Sequence, residues 1–154
     1  MTTLTKAPVV QVQMLIRRPV EEVFEAFIDP AITTKFWFTK SSGKLEAGKR
    51  VQWEWEMYGA AAEIEVYAVE PNKRIAIDFG GSPVEWSFTP RAEAETMVTI
   101  VNSGFEGTGD ELVAQATDST EGFTMVLCGL KALLEHGIVL NLVADKAPDA
   151  HVTR

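Results

Sequence analysis

Hydrophobic and polar residues alternate by twos across residues 50 to 66, RVQWEWEMYGAAAEIEV. Trp53, Trp55 and Met57 share one parity, and Gln52, Glu54 and Glu56 the other. Beyond Tyr58-Gly59, Ala62, Ile64 and Val66 alternate against Glu63 and Glu65. Period-two alternation is the mark of a strand with one face buried. Strands are predicted at about 9–17, 49–58, 61–70, 73–79, 83–90 and 95–102, separated by turn-forming residues: Tyr58-Gly59, Pro71-Asn72, Gly80 to Pro83, and Pro90 to Ala94. Short connections make neighbouring strands antiparallel. With a two-residue turn at Gly59-Ala60, Trp55 falls opposite Ile64, Trp53 opposite Val66 and Met57 opposite Ala62. The next pair then sets Val66 near Ile77 and Ile64 near Phe79. Val84, Trp86, Phe88, Val98 and Ile100 extend the same face.

The period changes to helical at three places. Val20, Val23, Phe24 and Phe27 are helically spaced after Pro19, which suits a first helical position, and Asp29-Pro30 ends the run. A second short helix over about residues 30–36 leads into Trp37. A long helix is predicted over residues 119–143, with Asp118 as N-cap, Glu121 in capping-box position, and Phe123, Leu127, Leu130, Leu134, Ile138 and Leu142 on one stripe. Gly122, Gly129 and Gly137 each weaken such a helix by roughly 1 kcal/mol relative to alanine, which suits close packing or room left for something else. A polar, irregular tail covers 144–154. The order of elements gives an α+β fold: a curved antiparallel sheet around one long C-terminal helix, the economical way to bury both apolar faces. Its 154 residues suit one domain spanning 1–154, with its core over about 8–143.

Any antiparallel sheet under a helix needs an apolar face, so plain packing accounts for each aromatic taken singly. Together they favour a cavity, because three tryptophans on one face meet a helix carrying Gly122 and Gly129 rather than a dense aliphatic partner, and buried indole N–H groups need acceptors. On the opposite face, the same register sets Glu56 across from Glu63 and Glu54 across from Glu65. Like charges directly opposed are destabilising, and this face reads as solvated, with a partner surface as the lesser alternative.

Three stretches carry a resemblance: RRPVEEVFEAFIDPAITTKFW, with its proline-initiated helix and aromatic pair; ETMVTIVNSGF, a threonine-rich strand ending in Ser-Gly-Phe; and GFTMVLCGLKALLEHG in the last helix. Over about residues 8–140 the chain resembles the START-like, helix-grip (Bet v 1-like) superfamily, in the SRPBCC branch named for the activator of Hsp90 ATPase and including polyketide cyclase-like proteins. The resemblance implies a sheet gripping the C-terminal helix with an apolar or aromatic ligand between them. Two positions depart from the family's pattern: Phe123 replaces the usual tryptophan, and Asn102 stands where a histidine is common. Both face the implied cavity.

Net charge, −8, changes the picture only by exclusion. An acidic chain is poorly suited to nucleic-acid phosphates or to anionic lipid surfaces. MTTLTKAPVV lacks the basic and apolar regions of a signal peptide, and no apolar run is long enough for a bilayer, so a cytoplasmic protein is expected. Candidate chemistry is sparse. Cys128 is the single cysteine, and nothing near it in sequence would lower its pKa; His136 follows Glu135 near the end of the helix, and His151 lies in the tail. No ligand cluster is spaced for a metal, and no cofactor is expected. By parity Tyr67 and Asp78 point outward, leaving Asn102 as a polar group that could orient a substrate. No catalytic residue is assigned. The expected site is a ligand cavity walled by Trp53, Trp55, Phe79, Trp86, Phe123 and Leu127, with Asn102 as a polar anchor and Trp37 at its mouth. The expected partner is a small hydrophobic molecule. Two alternatives stay open: a cyclase or dehydratase using the same cavity, and a chaperone-associated interaction module using the acidic face Glu54, Glu56, Glu63 and Glu65. A homodimer is compatible with the sequence but not legible in it.

Overall fold

Residues 2–152 are described in a computed structural model of the chain. The first strand, β1 (Val10–Ile16), leads to α1 (Val20–Ile28) and the one-turn α2 (Pro30–Thr33). Pro19 sits just ahead of α1, and its carbonyl accepts from the Glu22 and Val23 N–H groups. Asp29 closes α1 and caps α2, with Oδ1 accepting from the Ala31 N–H at 3.0 Å. The predicted second helix is thus shorter than expected, and residues 34 to 39 continue as turns toward β2 (Lys40–Ser41). That two-residue strand is too short to show any periodicity in sequence.

The meander follows: β3 (Arg50–Trp55), β4 (Ala60–Glu70), β5 (Arg74–Phe79), β6 (Ser82–Ala92) and β7 (Glu95–Asn102). All pairs are antiparallel, in the order β1-β7-β6-β5-β4-β3-β2. The β4–β5 register is as expected, with Val66 opposite Ile77 and Ile64 opposite Phe79. The β3–β4 register is not. Trp53 lies opposite Ala62, Val51 opposite Ile64 and Trp55 opposite Ala60. The chain leaves β3 in a 3-10 turn, Glu56–Tyr58, closed by Gly59 at φ 62°, instead of a two-residue hairpin turn. Electrostatics favours the observed pairing. It sets Arg50 opposite Glu65 and Gln52 opposite Glu63, and the Arg50 guanidinium lies 3.1 Å from Glu63 and 3.9 Å from Glu65. The shift is four residues along β4, an even number that preserves parity, so the strand side chains keep their predicted faces.

The long helix is α3 (Gly109–His136), ten residues earlier at its start than expected. Its cap is Thr108: the Glu111 N–H donates to Thr108 Oγ1 at 3.2 Å, and the Thr108 N–H donates to Glu111 Oε1 at 3.0 Å. Asp118 and Glu121, which fit the same spacing, lie inside the helix. Gly137, at φ 65°, ends it in the left-handed conformation, so Ile138 and Leu142 of the predicted stripe fall beyond it and Ile138 is exposed. Phe123, Val126, Leu127 and Leu130 form its buried face. The tail is not irregular throughout. It forms α4 (Leu142–Asp145) and a 3-10 turn at Pro148–Ala150, and returns to β3's end, where the Val152 N–H donates to the Met57 carbonyl at 2.9 Å. Residues 153 and 154 of that tail lie outside the described residues. No described helix is long and apolar enough to cross a membrane.

The C-terminal half of α3 is clasped to β1. Lys131 Nζ donates to the Leu15 carbonyl at 2.8 Å and to Glu135 Oε2 at 2.7 Å, and the same carboxylate oxygen accepts the Arg17 N–H at 2.9 Å. Burial alone would raise the Glu135 carboxyl. The Arg17 N–H and the Lys131 ammonium outweigh it and hold the carboxyl below its ordinary value of 4.5. A depressed carboxyl stabilises the fold above its unfolded-state value, and that contribution is lost as pH falls through the folded-state value. Thermal melts below pH 4.5 are therefore expected to show a steeper loss for the wild type than for Glu135→Gln. At neutral pH the variant is expected to melt about 3–6 °C lower. Parallel pH profiles for the two proteins would contradict this role.

Candidate functional site

The apolar sheet face and α3 do not meet through aliphatic side chains alone. Trp53 and Trp86 enter from β3 and β6, Phe79 from the end of β5, and Phe123 from α3. Trp37, from the turn after α2, stands among them. Its ring centroid is 4.8 Å from Trp53, 5.9 Å from Phe123, and 6.0 Å from both Phe79 and Trp86. It packs on Phe79 nearly parallel, at 27°. Such offset and edge-to-face contacts are the favoured aromatic geometries. Trp37 was expected at the mouth of a cavity; it lies at the centre of the cluster, only 8% exposed.

Two of the clefts that Trp37 borders also border Gly122. The first, about 300 Å³, has aromatic walls from Trp37, Phe79, Phe105 and Phe123, and a polar edge from Ser82, Asn102, Gln115, Asp118 and Ser119. The second, about 340 Å³, lies between Trp37, Trp55, Tyr58 and Met125 and the returning C-terminal segment at Val143 and Lys146. Gly122 borders both. A Cβ there would meet nothing, since no neighbouring atom lies within 4 Å of its position. Gly129, one face-repeat along the helix, differs. Its Cβ would stand 3.2 Å from Phe36 Cβ and 3.3 Å from the Phe36 carbonyl oxygen. One glycine admits a close neighbour and the other leaves open space.

Of the expected wall residues, Phe79, Phe123 and Trp37 border the first cleft and Trp55 the second. Trp53, Trp86 and Leu127 border neither and are almost wholly buried between the sheet and α3. Asn102 borders the first cleft, but its hydrogen bonds are made within the protein. Nδ2 donates to Ser82 Oγ at 2.7 Å and to the Pro83 carbonyl at 2.9 Å, and Oδ1 accepts from Ser119 Oγ at 2.7 Å. With both donors used, Asn102 ties β6 and β7 to α3 rather than offering an N–H to a ligand. Trp86 is the opposite case. Its Nε1–H is buried with no hydrogen-bond partner among the described residues.

Phe105, Ser119, Tyr58 and Lys146 were not assigned to the site from sequence. Phe105 ends the Ser-Gly-Phe motif, between β7 and α3, and entered only as part of the resemblance. Tyr58 and Lys146 reach the second cleft only because the tail folds back, with Tyr58 Oη donating to the Val143 carbonyl at 2.5 Å and Lys146 Nζ 2.5 Å from Glu121. The Glu121 carboxylate holds the Lys146 ammonium above its ordinary range. No sequence pattern signals that return.

Elsewhere the expected chemistry is dispersed. Tyr67 is exposed, and Asp78 accepts the Gly81 N–H at 2.8 Å in the β5–β6 turn. His136 is exposed at the end of α3, and His151 packs edge-on against Tyr58. Cys128 is half-buried on α3. No group of three His, Cys, Asp or Glu side chains is placed to hold a metal among the described residues. The face bearing Glu54, Glu56, Glu63 and Glu65 also carries Arg50 and Lys40, which pair with three of the four carboxylates.

A family model described as activator of Hsp90 ATPase homolog 1-like protein matches residues 17–135, and the chain belongs to that family. Protein SSP2350 of Staphylococcus saprophyticus is 35% identical, with a TM-score of 0.77, covering 86% of this chain and 96% of that one. DynU16, a protein in the dynemicin biosynthetic locus, is 26% identical with a TM-score of 0.70; the match covers 85% of this chain and 48% of DynU16. The Aha1 dimer from Colwellia psychrerythraea, 20% identical with a TM-score of 0.71 over 84% of this chain and 98% of that one, shares the fold. No curated protein matches the sequence.

The contrast between the two glycines gives a direct check. Gly122→Ala is expected to stabilise by about 1 kcal/mol through helix propensity alone, raising Tm by about 2–4 °C. Gly129→Ala is expected to show no such gain, because Phe36 must move to admit the methyl group. Equal shifts for the two variants in thermal melts would contradict the contrast between the two sites.

Proposed function

We propose that this member of the activator of Hsp90 ATPase homolog 1-like family binds a small apolar or aromatic molecule in the cleft between the sheet and α3. The observation that carries the reading is the open space at Gly122 facing rings. A helix-interior glycine forgoes stability that alanine would supply, and here no neighbour requires it. Aromatic walls with a few polar groups at one edge suit a flat, largely neutral molecule, held by stacking and burial rather than by charge.

The cyclase reading draws support from DynU16's place in a biosynthetic locus. It would have to work with little. Among the described residues Asp118 is the one titratable side chain bordering the first cleft, and the Asn102 donors are committed elsewhere. Binding without a chemical step is the reading these residues support best.

N-phenyl-1-naphthylamine, a neutral dye that brightens in apolar sites, is expected to bind the wild type. Gly122→Leu, which places a side chain in the open space, is expected to weaken that binding by at least roughly tenfold without lowering Tm. Wild-type affinity in the leucine variant would place the dye elsewhere and remove the argument for this cleft.

A further inference from the structure

The Trp86 indole is 1% exposed, and its Nε1–H has no partner among the described residues. A buried donor left unpaired is costly, and native proteins rarely keep one without a use. Rings surround the indole, with centroids 5.8 Å away for Phe27, 6.0 Å for Trp37 and 6.2 Å for Phe123. Of these, Trp37 is the one whose ring also walls both clefts. It is also the one on neither a strand nor a helix. Its backbone sits in the turns after α2, held by its N–H to the Thr33 carbonyl at 3.0 Å. The neighbours on each side are fixed: Phe36 is seated over Gly129, and Phe38 stacks on Trp53 at 4.5 Å and 19°. The Trp37 side chain thus stands between two clefts while its backbone is held on both sides.

We infer that Trp37 is a movable partition, and that the ligand is a planar, neutral molecule whose ring system takes the place of the Trp37 indole and whose carbonyl or ether-type oxygen accepts the Trp86 Nε1–H. This rests on the small-molecule reading above and gives it a chemistry. An indole N–H only donates, so the ligand must supply an acceptor. The acceptor is neutral because a carboxylate would be stripped of water among rings and would pass Asp118 at the cleft's edge. With the Trp37 ring turned into one cleft, the space it leaves opens onto the other beside Gly122. The enlarged chamber would be walled by Phe79 and Phe123, with Trp86 at its floor.

A matched pair of probes tests this: 9-fluorenone and fluorene share a flat three-ring body and differ by the carbonyl. Wild type is expected to bind fluorenone about tenfold more tightly than fluorene, the worth of one well-made hydrogen bond. In Trp86→Phe that ratio is expected to collapse toward one. Trp37→Leu is expected to tighten both probes, because the indole no longer has to be displaced. In wild type, the Trp86 indole ¹H–¹⁵N resonance is expected to move on adding fluorenone and to stay near its original position with fluorene. That readout serves if Trp86→Phe does not fold. Equal affinities for the two probes, or an unmoved resonance with fluorenone bound, would overturn the acceptor assignment and leave the cavity reading standing. Unchanged or weaker binding in a folded Trp37→Leu would overturn the partition. Binding of neither probe by wild type or by Trp37→Leu would overturn the cavity reading and this inference together.

Discussion

The gap between α3 and the sheet is set by two polar clasps, and the rest of the architecture follows from that spacing. Toward its C-terminal end, Lys131 and Glu135 bind the Leu15 carbonyl and the Arg17 N–H at the end of β1. Toward its N-terminal half, Ser119 donates to Asn102, which is itself tied to Ser82 and Pro83. Both clasps are directional, and at least one involves charge, so neither slides as apolar packing can. Between them the helix presents Phe123 and Leu127 beside Gly122, and the span must be filled from the sheet side or left open.

Aromatic rings do the filling. Aliphatic side chains would close the gap by interdigitating. Rings leave flat walls and wedge-shaped spaces at their edges, and the two clefts are those spaces. Trp37 is the one tryptophan among the described residues that lies on neither strand nor helix. Phe36, seated on Gly129, and Phe38, stacked on Trp53, hold its backbone where the ring can enter. The same glycine-bearing helix thus does two opposite things one face-repeat apart: it closes on Phe36 at Gly129 and stays open at Gly122.

The faces of the sheet were legible from sequence because parity survives a register error. The expected partners of Trp53 and Trp55 lie four residues from the observed ones, yet both side chains face inward, while the outer glutamates gain Arg50 as a neighbour instead of facing one another. The start of α3 was not legible, because Thr108 to Glu111 and Asp118 to Glu121 offer the same cap spacing and the first turns of the helix bury little beyond Leu112. The site was legible only in part. Phe79, Phe123 and Asn102 lie on elements whose faces the pattern fixes. Trp37 lies in a turn, where no periodicity says how deep a side chain reaches. Tyr58 and Lys146 meet across a chain return of more than eighty residues, which only tertiary packing creates. Asn102 was found from its position, but its saturation by Ser82, Pro83 and Ser119 depends on neighbours far away in sequence.

Native mass spectrometry of gently purified protein tests the central claim most directly. A bound species above the 17.0 kDa chain by a small-molecule increment, lost on denaturation and absent from Gly122→Leu, is the expected result. A bare chain that takes up no member of a panel of planar aromatic compounds, in wild type and in Trp37→Leu alike, would contradict it and identify the cluster around Trp37 as packed core.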